Sequence, residues 1–203
     1  MTASLTDRHR HQKIHSKGSD LQALDRIGLC SLSRVLGTSP SSLRLVAPKG
    51  QLQVHTAPYR GSFSGVLSQA VRAAGLGSRV LISQFLKGGV HQGPSGRVQL
   101  CSALTWLRPD IPVRVAEPSI YGCRDAIQAV WKVCRQHLIT GDLDQLVLDE
   151  IGLAVRLGGI DEADLLSTLK QRPKSMDVII TGPSVPTSIV VMADQVTELH
   201  RGL

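Results

Sequence analysis

Residues 54–65 read "VHTAPYRGSFSG", from Val54 to Gly65. Just before them, residues 51–55 alternate polar and apolar side chains like a short strand. Residues 62–74 then place Val66, Leu67, Ala70, Val71 and Ala74 at the spacing of an amphipathic helix, with Gly75 as its stop. A strand-to-helix junction is where nucleotide-binding α/β proteins seat phosphate, because the first N–H groups of the helix point outward and attract anions. This junction lacks the lysine of a phosphate cradle and keeps one of its glycines.

Outward from the junction the same alternation recurs. Residues 80–85 (VLISQF) predict a strand, followed by a Gly-rich loop over 87–96. A helix is predicted around 98–107 and a strand around 113–116. Residues 124–139 predict a helix that buries Ala126, Ile127, Val130, Val133, Cys134 and Leu138. Leu146-Val-Leu148 is a short apolar strand ending in Asp149-Glu150. A helix over 161–170, a strand over 178–181, a turn or helix over 185–193 and a last strand over 195–199 complete the pattern. Wholly apolar strands separated by amphipathic helices predict a mainly parallel sheet covered on both faces, a three-layer α/β domain.

This domain is expected to span residues 43–203, opening with a strand over 43–47. Residues 19–42 predict a helical extension and linker: Ser19-Asp20 caps a helix with Leu21, Leu24, Ile27, Leu32, Val35 and Leu36 on one side, and Gly37 ends it. Residues 1–18 are polar and basic and are expected to be disordered.

The 203-residue chain is 42% hydrophobic and 19% charged, a globular composition, but only 3% aromatic, so its core must be aliphatic. No apolar run is long enough to cross a bilayer, and the N-terminus lacks a secretory h-region, so a cytoplasmic location without membrane insertion is expected. The four cysteines, Cys30, Cys101, Cys123 and Cys134, show no metal-ligand spacing and are expected to be reduced thiols. The formal charge of +7 is uneven: residues 1–60 hold nine Lys/Arg against three acids, whereas 61–203 hold fourteen against thirteen. A basic segment of this kind binds nucleic acid or an anionic surface, or is simply a solvated tail. The tail reading is preferred because no aromatic interleaves the charges. His9, His11 and His15 fit adventitious metal binding better than a built site.

In parallel α/β sheets ligands gather at the carboxyl ends of the strands, which puts residues 54–65, 84–88 and 149–150 together. An apolar strand ending in two carboxylates is a usual place to hold magnesium, and Asp149 and Glu150 are the candidates, Asp149 first as a metal ligand.

These segments resemble a known family, the ATP:corrinoid adenosyltransferases, P-loop proteins that transfer adenosyl from ATP to cob(I)alamin or its precursors. The likeness lies in T-x4-G (Thr56 to Gly61), "AVRAAGLGSRV" (70–80) and "QFLKG" (84–88). It resumes in "AVWKV" (129–133), "LVLDE" (146–150), "QRP" (171–173), "VIITG" (178–182) and "MADQVTEL" (192–199). It implies a P-loop NTPase-like fold, a homodimer and, if the activity survives, MgATP and a corrinoid as ligands.

The resemblance also implies roles position by position. The family's loop reads about T-G-x-G-K-G-K-T-T, which sets Thr56 and Gly61 on matching residues and Arg60 on the earlier lysine. The phosphate-binding lysine falls on Ser62, the magnesium-binding hydroxyl on Phe63 and the next threonine on Ser64. Thr56, Arg60, Gly61, Ser62, Ser64 and Lys87 thus form the expected remnant of a phosphate site, with helix capping as the alternative role of Ser62 and Ser64. Pro58 has no N–H to offer phosphate, Tyr59 adds bulk, and Phe63 cannot ligate a metal. The family's aromatic G-F-T-W segment is not found, and its nucleotide-covering C-terminal segment is expected to be missing.

Three functions follow. The first is a non-catalytic descendant with lost or weakened ATP binding, acting as a binding or regulatory protein, with no cofactor of its own and possible protein partners. The second is a working adenosyltransferase in which cobalt(I) attacks the ATP 5′ carbon while Arg60, Lys87 and Asp149 or Glu150 supply the charge. The third is a binder of nucleic acid or anionic surfaces through the basic N-terminus.

Overall fold

The computed structural model describes residues 49–61, 63–88, 93–111 and 120–200, with the side chains of 120 and 121 left aside. The expectations for 1–47 and for a strand at 113–116 lie outside these residues. What is described belongs to one compact unit.

Among the described residues seven strands form one sheet: β1 (Leu52–Thr56), β2 (Val80–Gln84), β3 (Val98–Cys101), β4 (Leu104–Leu107), β5 (Gln145–Asp149), β6 (Asp177–Thr181) and β7 (Gln195–Glu198). Their order is β3-β4-β2-β5-β6-β1-β7, and every pairing is parallel except β3 with β4. The helices are α1 (Ser64–Gly75), α2 (Ile120–Thr140), α3 (Ile151–Arg156), α4 (Glu162–Gln171) and α5 (Thr187–Met192).

The period-2 pleat sorts each central strand between two cores. Leu146 and Leu148 of β5 face one core, which holds Ile127, Val130, Trp131, Cys134 and Leu138 of α2, Leu165 and Leu169 of α4, and Ile189 of α5. Val147 faces the other, with Val66, Ala70 and Ala74 of α1, and Val80 and Ile82 of β2. Helices therefore cover both faces, the three-layer α/β architecture of P-loop NTPase-like proteins. Among the described residues no helix is long and apolar enough to cross a membrane.

The departures from expectation are local. Residues 98–107 form a β-hairpin and not a helix. Their apolar residues suit either period over so short a run, and pairing of β4 along β2, Val80 with Leu104 through Ser83 with Leu107, decides for strand. Within α1, Val71 is exposed while Ala70 and Ala74 pack inward. The helix continues through Gly75, and its stop is Gly77, whose φ of +99° turns the chain so that the Ser78 N–H reaches the Ala73 carbonyl at 3.1 Å. The short helix α3 was not expected from the sequence. It starts because Glu150 adopts φ +63°, turning the chain from strand to helix in one residue.

Candidate phosphate-loop site

Strand register builds the site. Asp149, the last residue of β5, stands beside Gln84 of β2 and Thr181 of β6. In-register residues of parallel strands share a face, here the one that α1 covers. Gln84 Nε2 donates to Asp149 Oδ2 at 2.8 Å, and Thr181 Oγ1 donates to Asp149 Oδ1 at 2.6 Å. Lys87, in the turn after β2, adds its ammonium to Oδ2 at 2.7 Å. The Gln84 carbonyl oxygen accepts from Trp106 Nε1 at 3.0 Å and from Arg108 Nε at 2.8 Å. A polar row thus crosses the sheet from Arg108 through Gln84 and Asp149 to Thr181. Burial pushes the Arg108 pKa down, with the Asp149 charge opposing it.

Glu150 is buried and points to a different partner. Arg60 forks onto its carboxylate, Nε to Oε1 at 2.6 Å and Nη2 to Oε2 at 2.8 Å, and Nη2 also reaches the Leu86 carbonyl at 3.1 Å. Such bidentate pairs are the strong, geometrically demanding form of ion pair. The loop after β1 is thereby tied to the end of β5 and to the turn after β2. Behind the pair, Gly182 (φ +115°) lies so near the Glu150 backbone that a Cβ there would stand 3.0 Å from Glu150 Cα.

None of the described residues 56–61 and 63–64 has positive φ, whereas a nest turns successive N–H groups inward by using left-handed or turn conformations. Gly61 has no left-handed φ, and the Tyr59 ring lies 3.1 Å from where its Cβ would be. Phe63 is buried in the core under α1 and occupies that helix's capping position without a side-chain hydrogen bond. Ser64 is the exposed first residue of α1, not its cap. Thr56 ends β1, and Ser62 lies outside the described residues.

Of the candidates, Arg60, Lys87, Asp149 and Glu150 converge at the carboxyl edge of the sheet. Gln84, from the expected ligand-edge segment 84–88, joins them, and so do Thr181, Trp106 and Arg108, which had not been singled out as site residues. Gln84 and Thr181 were visible as strand ends but needed the register to acquire a partner.

Magnesium does not fit this donor set. Both Asp149 oxygens already accept hydrogen bonds, one of them from an ammonium, while magnesium wants oxygen ligands in a near-ideal octahedron. Among the described residues no three His, Cys, Asp or Glu side chains cluster to hold a metal.

The sheet order, the β1–α1 loop and the acidic end of β5 define a protein of the P-loop NTPase-like α/β class. Residues 48–201 match the family described as ATP:corrinoid adenosyltransferase BtuR/CobO/CobP, and the chain belongs to that family. It is 27% identical over 161 residues to a corrinoid adenosyltransferase of Pseudomonas aeruginosa, covering 74% of this chain and 75% of that protein. The corrinoid adenosyltransferase CobA of Salmonella typhimurium is 29% identical over 160 residues, 75% of this chain and 77% of the relative. The Escherichia coli K12 corrinoid adenosyltransferase is 27% identical over the same length, again 75% and 77%.

Proposed function

We propose that this chain is a non-catalytic member of its family, with lost or weakened ATP binding, and that it acts as a binding or regulatory protein. The Arg60–Glu150 fork carries the reading. The cation that replaces the loop's earlier lysine is committed to a buried carboxylate of the same chain. A triphosphate would have to compete with that pair, in a loop whose lysine position is Ser62 and whose hydroxyl position is the buried Phe63. Each charge-assisted hydrogen bond lost to phosphate weakens binding by about 1.5–3 kcal/mol. Several such losses together take MgATP out of the micromolar range. By family analogy the protein is a homodimer, which light scattering on a sizing column would check.

Calorimetric titration with MgATP and an assay of reduced cobalamin adenosylation test the proposal, with no heat and no turnover expected. One observation favours the active alternative: Lys87 and Asp149 sit together at the ligand edge of the sheet. Micromolar MgATP binding with turnover that vanishes in Asp149→Asn would establish that alternative and overturn the proposal. The nucleic-acid reading is tested by deleting residues 1–18 and comparing the salt dependence of binding; an unchanged slope removes it.

A further inference from the structure

Far from the loop site, β7 forms an edge of the sheet. Among the described residues it pairs with β1 alone, and Gln195, Val196 and Glu198 are exposed. Such an edge presents backbone N–H and C=O groups as a template for another strand. Apolar surface gathers on the same unit. Val191 of α5, Val196 of β7 and Leu199 just after it are 81%, 41% and 40% exposed, three of the seven large apolar side chains exposed among the described residues. Val196 stands beside Val54, which belongs to the core that α5 covers, so Val196 and α5 share a face of the sheet. The opposite edge, β3, is blunted by a register shift between Gln99 and Cys101.

Backbone parity shows what β7 offers. The Gln51 and His55 carbonyls accept from Val178 and Gly182 on the β6 side, so the Val54 and Thr56 carbonyls face β7. Leu199 N–H donates to the Thr56 carbonyl at 2.8 Å, which turns Gln195 and Thr197 toward β1 and leaves the backbone groups of Val196 and Glu198 outward. The bond from Asp194 N–H to the Leu52 carbonyl comes before the strand and leaves an extra residue between the two contacts.

We infer that β7 pairs antiparallel with β7 of a second copy of this chain, across a two-fold axis at Thr197, joining two sheets into one. Bonding and charge select that register. Centred on Glu198, the pairing would set two carboxylates directly opposite each other, which destabilises. Centred on Val196, it would leave the outward groups of Glu198 without their match. Centred on Thr197, Val196 and the partner's Glu198 form a hydrogen-bonded pair, and Glu198 and the partner's Val196 form another. Thr197 then meets the partner's Thr197 as the close, non-hydrogen-bonded pair. The Lys49–Asp194 end of one strand lies beside the partner's Glu198 and the partner's His200, so the lysine finds an acid and the acid an imidazole. A two-fold axis perpendicular to the sheet keeps both α5 helices, with their exposed Val191 side chains, on one face of the seam. This rests on the homodimer reading above and names the face that makes the dimer.

Light scattering on a sizing column with the full chain should give twice the chain mass. Val196→Pro removes an outward N–H without touching the bonds to β1, and should give the monomer mass with an unchanged circular dichroism spectrum. Thr197→Cys provides a second measurement that does not depend on that variant folding. A residue on the two-fold axis stands opposite itself, so mild oxidation should link Thr197→Cys into a disulfide dimer that wild type and Gln195→Cys do not form. A monomeric wild type would overturn both the homodimer reading and this interface. A dimer that survives Val196→Pro in a folded protein, or that fails to cross-link through Thr197→Cys, would overturn the interface and leave the homodimer reading standing.

Discussion

Replacing Arg60 with methionine keeps most of the side-chain volume and removes the charge that Glu150 depends on. The Glu150 side chain is 1% exposed and the Arg60 side chain 23%, with two hydrogen bonds of 2.6 and 2.8 Å between them. Breaking a fully buried pair by removing one partner costs about 3–5 kcal/mol, because the remaining charge is left uncompensated. Arg60 is partly solvated, so water can reach Glu150 once the arginine has gone, and the expected loss falls to about 2–4 kcal/mol. Urea unfolding followed by tryptophan fluorescence measures it, with an unchanged m-value showing that the unfolded states are comparable. Arg60→Met combined with Glu150→Gln should recover at least half of the loss, since the double variant buries no lone charge. A loss below about 0.5 kcal/mol, or strict additivity in the cycle, would refute the idea that this pair closes the loop. In that case Arg60 would be available to a phosphate, and the non-catalytic reading would lose its main support.

Three further expectations follow from other residues. Gly182→Ala should destabilise by about 1–3 kcal/mol in the same unfolding assay, because φ is +115° and the new Cβ would press on Glu150 Cα at 3.0 Å. Asp144 and His55 each contribute to the acid side of the stability profile. The Asp144 carboxyl is held down to about 2 by hydrogen bonds from Arg79, so its contribution is present above the ordinary carboxylate pKa of about 3.9 and is lost as pH falls toward 2. Burial lowers the His55 pKa, so the unfolded chain takes up the proton first and stability begins to fall as pH drops below about 6.5. Melting temperatures of Asp144→Asn and His55→Gln from pH 8 to 2 should flatten these two segments respectively. Finally, Cys134 is buried against Ser83 at 2.9 Å and its thiol is pushed up to about 12, whereas Cys101 is exposed. Peptide mapping after brief alkylation of native protein should find Cys101 modified and Cys134 intact.

The aliphatic strands and amphipathic helices of the domain were legible because burial on two faces needs continuous apolar runs, as in "LVLDE" and "VIITG". Family membership was legible partly for the same reason, since the motifs at 84–88, 146–150 and 178–182 run through the ends of β2, β5 and β6, where the sheet holds the spacing. The exception among the strands, residues 98–107, shows the limit of periodicity: ten residues with apolar side chains at nearly every second or third position satisfy two periods at once. Only the free edge of β2 selected between them.

For the site, the chain order of residues 54–65 led to the expectation of a phosphate loop without its lysine or hydroxyl. That Phe63 sits in the core and Ser64 begins α1 without capping it came from packing, because local capping propensity says nothing of what lies under the helix. The partner of Arg60 is 90 residues away along the chain. No local pattern encodes that distance. It exists because parallel register brings the ends of β1, β2, β5 and β6 to one edge, and because Glu150 takes a left-handed turn that aims its carboxylate at the loop. The sequence alone therefore determined the layers; the tertiary structure decided the partner of Arg60, an internal ion pair with Glu150, because only folding brings charges so far apart in the chain within hydrogen-bond reach.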